Sequence, residues 1–147
     1  TAHGPRQRPD LAIHSFLRCI EDGSPLRQFG DGSSSRDYTY VGDIARGVRG
    51  AIDREVGPMQ GQAMCETFNL GNSHATTLLE LISAIETVSE KEAIIDHHPA
   101  RSGDVLHTCA DISKARRHLG YLPETSLREG LQQFHDWFSQ TRRTSSV

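Results

Sequence analysis

No stretch of the sequence approaches the ~20 consecutive apolar residues that a membrane-spanning helix requires, and no signal-peptide pattern leads it. Cysteine is scarce: Cys19, Cys65 and Cys109 are odd in number and far apart, which argues against a disulfide framework. A reducing, cytoplasmic setting is the expectation. Charge of one sign is missing too. The 16 basic and 19 acidic residues give a net −3, so the chain has no global basic field of the kind nucleic-acid binders carry, and neither nucleic acid nor membrane is an expected partner. Eight histidines are present, yet no C-x-x-C, H-E-x-x-H or comparable zinc spacing occurs. His97 and His98 are neighbours on a predicted strand and point to opposite faces, and His107-x-Cys109 offers two ligands at most, so no metal site is expected. No elbow surrounds a nucleophilic serine or cysteine.

What remains is one domain's length, 147 residues, with α and β patterning in alternation. The apolar spacing of Leu11, Ile13, Phe16, Leu17 and Ile20 predicts a helix capped by Asp10 and ended by Gly23. A short strand leading into a Gly-Asp-Gly turn is predicted over 25–32 and a second short extended segment over 35–41, then a helix from Asp43 with Ile44, Val48, Ala51 and Ile52 as its stripe. Gly47 and Gly50 weaken that helix by up to ~1 kcal/mol each unless they permit close packing. A loop is expected over 55–64 and a strand over 65–72, with Phe68 and Leu70 on one face. Thr77-Leu-Leu-Glu80 and Ser126-Leu-Arg-Glu129 match capping boxes ahead of two apolar helical stripes. Between them come a strand over 93–99, a turn over 100–105 and a short helix from Asp111 to Gly120. The strands are too few and short for a large sheet of their own. The sequence starts without Met, directly in a loop, and is expected to be a piece of a longer chain.

Three local features carry chemistry. "GPRQRPD" (4–10) stiffens a cationic loop between Pro5 and Pro9, which suits a planar anion. "FGDGSSSRD" (29–37) delivers Arg36 beside Asp37 from a small-residue turn, though its spacing fits neither the P-loop nor the dinucleotide fingerprint. "RSGDV" (101–105) flanks a glycine turn with Arg101 and Asp104. Each, taken singly, also reads as a solvated turn.

Taken in order, "GPRQRPD", "FGDGSSSRDYTYVGDIARG", "FNLGN", "RSGDVLHTCADISKARRHLGY" and "TSLREGL" closely resemble the C-terminal half of the extended short-chain dehydrogenase/reductase family, specifically its NAD-dependent nucleotide-sugar epimerases and dehydratases. Within the family the opening loop is most similar to UDP-glucuronate 4-epimerases, with UDP-glucose 4-epimerases next. The resemblance implies an α/β, C-terminal substrate-binding part of a Rossmann-type fold over residues 1–140, with a frayed tail at 141–147 and the N-terminal dinucleotide-binding half absent. It implies that Thr1 and Arg8 hold the glucuronate carboxylate, and that backbone groups around Gln28 and Phe29 pair with uracil. It further implies that Arg36 and Arg101 grip the diphosphate and Asp104 the ribose hydroxyls. His3 departs from the family's usual tyrosine, next to the carboxylate clamp.

The family's reaction oxidises the sugar C4 hydroxyl on NAD, lets the ketone turn and returns the hydride to the other face. That requires a Gly-rich turn and a Tyr-x-x-x-Lys pair. Neither is in this sequence, because Tyr38, Tyr40 and Tyr121 lack a lysine four residues later. No catalytic residue is therefore assigned, NAD is expected on the missing half, and the chain alone is expected to be inactive. The alternatives are a non-catalytic UDP-sugar-binding or partner-docking module, and the equivalent part of a dehydratase or decarboxylase. The strand in 65–72 and the helix from Thr77 are expected to extend a parallel sheet. Alone they would expose apolar surface, which favours a homodimer or docking to the missing half.

Overall fold

In the computed structural model, which describes residues 1–54 and 65–144, the elements run β1 (Ala2–His3), α1 (Ala12–Asp22), β2 (Leu26–Phe29), β3 (Ser35–Asp37), β4 (Thr39–Tyr40), α2 (Val41–Asp53), β5 (Ala75–Thr77), α3 (Leu78–Ser89), β6 (Ile95–His98), α4 (Ser113–Leu119) and α5 (Leu127–Thr144). The loop expected over 55–64 lies outside the described residues. The strands form three two-stranded sheets among the described residues: β1 and β4 parallel, β2 and β6 parallel, β3 and β5 antiparallel. No helix among the described residues is long and apolar enough to cross a membrane.

Three helices hold the molecule together. α3 packs against both α1 and α5, and the main core joins Ile13, Leu17 and Ile20 of α1 to Leu81, Ile82 and Ile85 of α3 and to Leu131, Phe134 and Phe138 of α5. Twelve apolar side chains are buried in this cluster. At ~1.5–3 kcal/mol each, their burial far outweighs the ~1 kcal/mol that a helix cap contributes. Caps nonetheless fix where the helices start. Thr77 and Glu80 exchange backbone and side-chain bonds at the start of α3, and Ser126 and Glu129 do the same ahead of α5. Gly23 and Gly120 end α1 and α4 in the left-handed region, at φ 62° and 61°.

Several expectations are corrected. Among the described residues no ladder joins residues 65–72 to another segment, and Phe68 and Leu70 pack on a second, smaller core of Ile112, Ala115 and Tyr121. The helix from Thr77 packs in the main core with α1 and α5, together with Leu26 of β2 and Ile95 of β6. β1 occupies what reads as a loop, because Ala2 and His3 pair in parallel with Thr39 and Tyr40. Asp10 does not cap α1. The N-cap is Leu11, without a side-chain bond, while the Asp10 carboxylate is taken by Arg8. The stripe read on α2 faces outward: Val48 is 48% and Ile52 74% exposed, and the helix buries Asp43 and Gly47 instead. α5 continues through Thr144, into the stretch expected to fray from 141, with Arg142 paired to Asp22 at 2.6 Å and placed over Phe138. Residues 145–147 lie outside the described residues.

Two buried carboxylates tie the loops to this frame. Asp37, 4% exposed, accepts the backbone N–H groups of Asn72 (2.8 Å), Ser73 (2.9 Å) and Ala110 (3.1 Å) and the Thr39 hydroxyl (3.0 Å). Asp43, fully buried, accepts from Arg46 and from the Thr125 backbone N–H (3.1 Å) and hydroxyl (3.2 Å). Buried carboxylates persist only when so supplied with donors.

Candidate functional site

A cleft of about 590 Å³, within the range of small-molecule sites, opens between α1, β2, β3 and the exposed strap 99–110 that follows β6. Five of the seven residues singled out from the sequence line it: Thr1, Phe29, Arg36, Arg101 and Asp104. β3 supplies Arg36, half-buried, whose Nη1 donates to the Ser35 carbonyl at 2.9 Å. Across the cleft the Arg101 guanidinium carbon lies 3.7 Å from the centre of the Phe29 ring, which is also stacked with His98 at 5.2 Å. The left-handed Gly103 (φ 88°) makes the strap's turn, closed by the Asp104 N–H donating to the Arg101 carbonyl at 3.3 Å.

The other two residues lie elsewhere. Gln28 is 3% exposed and does not line the cleft. It alternates with Phe29 along β2, and its Nε2 turns back to the Gly30 carbonyl at 3.3 Å. Arg8 lines an adjoining cavity of about 210 Å³ together with His3, Arg6 and Gln7. Its fork is closed on Asp10, Nε to Oδ1 at 3.0 Å and Nη2 to Oδ2 at 2.9 Å. Leu11 lines both cavities, so they are neighbours. Arg6, between the two prolines, takes a left-handed φ of 68°, uncommon for a non-glycine residue.

Sequence reasoning missed Arg18 and Arg27. Both line the cleft, Arg18 from an exposed position on α1 next to the buried Leu17, and Arg27 two residues before Phe29 on the same face of β2. The i, i+2 relation to Phe29 was the available signal for Arg27. With Arg36 and Arg101 they make four guanidinium groups facing two aspartates, Asp10 and Asp104, so the cleft carries a positive surplus. Among the described residues neither Arg36 nor Arg101 has a carboxylate within ion-pair distance, which leaves their forks available to an anion. Tyr38 lies at the cleft wall, 7% exposed, and burial raises its phenol above the ordinary value, keeping it a neutral donor rather than a base. This is recognition chemistry: charged forks, an aromatic face, and a carboxylate able to accept from hydroxyls.

The profile of the GDP-mannose 4,6 dehydratase family matches residues 2–134. The chain is 38% identical over 149 aligned positions to UDP-glucuronate 4-epimerase 3 of Arabidopsis thaliana, covering 94% of this chain and 34% of that protein. It is 37% identical over 131 residues to an uncharacterised UDP-glucose epimerase of Bacillus subtilis, covering 89% of this chain and 40% of the relative. Among solved structures, the UDP-glucuronic acid 4-epimerase of Bacillus cereus in complex with UDP-glucuronic acid and NAD superposes with a TM-score of 0.86 at 36% identity, over 96% of this chain and 43% of that one. The UDP-glucose 4-epimerase of Thermotoga maritima with UDP-glucose gives a TM-score of 0.86 at 30% identity, over 97% and 44%. The chain thus spans about two fifths of the length of the proteins it matches.

Proposed function

The chain belongs to the GDP-mannose 4,6 dehydratase family, and from that premise we propose that it is the nucleotide-sugar-recognising, C-terminal part of a 4-epimerase acting on a UDP-sugar such as UDP-glucuronate or UDP-glucose. The observation that carries the reading is the convergence of Arg36, from β3, and Arg101, from the strap, on one cleft that also holds Phe29 and Asp104. In this reading the two guanidinium groups bind the diphosphate through forked, charge-assisted bonds. Asp104 accepts from the ribose hydroxyls, and the Gln28–Phe29 backbone meets the uracil beside the Phe29 ring. Thr1 stands at the cleft wall and Arg8 next door, where a sugar carboxylate is to be bound.

NAD accompanies the UDP-sugar in the Bacillus cereus structure. The residues of this chain do not fit it. A dinucleotide diphosphate sits at a helix N-terminus reached through a Gly-rich turn, whereas α1 is entered through Pro9-Asp10-Leu11 and α4 through Ala110-Asp111-Ile112, and α2, α3 and α5 each carry an acidic residue in the first turn: Asp43, Glu80 and Glu129. Glu80 and Glu129 already bond the backbone that a phosphate would need. The reading therefore assigns NAD and the Tyr-x-x-x-Lys pair to a further half of the enzyme, and turnover to the two halves together. The outward face of α2, with Val48 and Ile52, is assigned to contact with that half, since the matched proteins are more than twice as long as this chain.

Calorimetric titration of the chain with UDP tests the reading. Binding is expected, with Arg36→Ala and Arg101→Ala each weakening it by ~1.5–3 kcal/mol, about tenfold or more. Absence of UDP binding, or equal affinities for the variants and the unsubstituted chain, overturns it.

A further inference from the structure

The strap 99–110 brings Arg101 and Asp104 to the cleft, yet every residue from Pro99 to Cys109 is exposed. Packing into a core therefore does not set its position. A small number of bonds does, and most of them converge on one residue of β3. The Ser35 N–H donates to the Leu106 carbonyl at 2.8 Å, the Ser35 carbonyl accepts from the Thr108 N–H at 3.1 Å, and the Ser35 hydroxyl lies 2.7 Å from His107 Nδ1. Ser35 itself is anchored: it is 9% exposed, and it pairs with Thr77 in the antiparallel β3–β5 ladder. The residue after it is Arg36.

Resting on the reading that the cleft takes a nucleotide diphosphate, we propose that the Ser35–His107 pair is a clasp that registers the strap against β3, and that His107 is thereby a positioning residue for Arg101. The two backbone bonds make a single parallel bridge, and beyond it the strap is next tied to β3 at its far end, where the Ala110 N–H donates to the Asp37 carboxylate at 3.1 Å. The side-chain bond of Ser35 to His107 adds an attachment at the bridge itself, between Arg101 and that far end. Arg36 is part of β3 itself, so fixing the strap to Ser35 fixes the separation of the two guanidinium groups. Two forks at a set spacing bind a diphosphate without first ordering a loop, which is the usual advantage of preorganisation. The hydroxyl–imidazole pair also superficially resembles a nucleophile and its base. Ser35 does not line the cleft, however, which assigns the pair to positioning.

Amide hydrogen exchange and UDP titration on the chain, with His107→Ala and His107→Asn, test the clasp. His107→Ala is expected to speed exchange of the Ser35 and Thr108 amides, which bond across the clasp, about tenfold while leaving those of α3 unchanged, and to weaken UDP about tenfold. His107→Asn keeps a polar group on a short side chain and is expected to restore both. A structural role alone would not change the cost of a second substitution, so the cycle with Arg101→Ala decides. Arg101→Ala should lose much of its effect on UDP affinity in the His107→Ala background. Unchanged exchange in the strap, or an Arg101→Ala effect of equal size in both backgrounds, overturns the proposal. If the unsubstituted chain fails to bind UDP, the nucleotide reading falls, and the exchange experiment still decides whether the clasp exists.

Discussion

Asp37 Oδ2 accepts the backbone N–H of Ala110 at 3.1 Å, across 73 residues of sequence. The bond closes the far end of the strap onto the same strand that carries Arg36. Both oxygens of the carboxylate also serve the segment ahead of β5, Oδ1 accepting from the Asn72 N–H at 2.8 Å and Oδ2 from the Ser73 N–H at 2.9 Å. All of its partners are donors, so an amide cannot replace it: Asp37→Asn would turn an NH₂ group toward an N–H. We expect this substitution to destabilise the chain by ~3 kcal/mol, the cost of leaving buried donors unmet. Urea denaturation of the variant checks it, and an unchanged midpoint would remove Asp37 from its role as a hub.

Gly47 poses a question of sign. In an exposed helix, Gly→Ala adds up to ~1 kcal/mol of stability. Here a Cβ would sit 2.7 Å from Leu70 Cδ2 and 2.8 Å from Tyr121 Cδ2. Leu70 can yield, but Tyr121 is 3% exposed and its hydroxyl donates to the Gly71 carbonyl at 2.9 Å, so the ring cannot move without breaking that bond. Overpacking of this kind costs ~1–3 kcal/mol. The net expectation for Gly47→Ala is a lower melting temperature by roughly 2–4 °C. A rise in melting temperature would show that α2 does not pack as closely as described.

The features legible in the sequence are those that depend on neighbours in the chain. The boxes at Thr77–Glu80 and Ser126–Glu129 and the stops at Gly23 and Gly120 involve contacts within a single turn, and each is found where expected. Strands were less legible because a strand is a relation between two segments. Phe68 and Leu70 share a face as their alternation suggests, but no ladder joins them among the described residues, and β1 is too short to show any period. On α2 the apolar spacing was real and its direction was not: Asp43, held by Thr125 and Arg46, turns the helix the other way. The cleft lies between these cases. Each of its turns is bland alone, and only the ordered motifs put Arg36 and Arg101 together before the fold did.

His3 gives the chain a pH dependence. It is 1% exposed, edge-on to Tyr40 at 6.1 Å, with its Nε2 against the space left by Gly130, and neither ring nitrogen has a partner of normal hydrogen-bond geometry. Burial lowers its pKa from 6.5 to about 4, opposed more weakly by the Thr39 backbone. Because the folded value lies below the unfolded one, the unfolded chain binds the extra proton between them. The stability contributed by the neutral ring is therefore complete above pH 6.5 and lost progressively as pH falls toward 4. The shift amounts to ~3 kcal/mol at most. Unfolding free energies from urea denaturation at about pH 7 and pH 4.5 should differ by ~2 kcal/mol more for the unsubstituted chain than for His3→Phe, which keeps a ring and cannot titrate. Parallel pH profiles would place the proton elsewhere.

The Arg8–Asp10 pair makes the sugar preference testable. Both oxygens of Asp10 occupy the Arg8 fork, at 3.0 and 2.9 Å, in the geometry a glucuronate carboxylate would adopt. The side chains are 73% and 67% exposed, so the pair contributes no more than ~1 kcal/mol and a substrate carboxylate can displace it. Asp10→Asn removes the competing charge and should raise the affinity for UDP-glucuronate relative to UDP-glucose by up to ~5-fold. Arg8→Ala should move the ratio the other way, by about tenfold, since a charge-assisted bond to the sugar carboxylate is lost while the nucleotide contacts stay. Competition titrations of both sugars against UDP read the ratio directly. The two variants must shift it in opposite directions, because one frees the fork and the other deletes it. A ratio indifferent to both would mean that the stiffened loop between Pro5 and Pro9 presents its guanidinium groups to something other than the sugar.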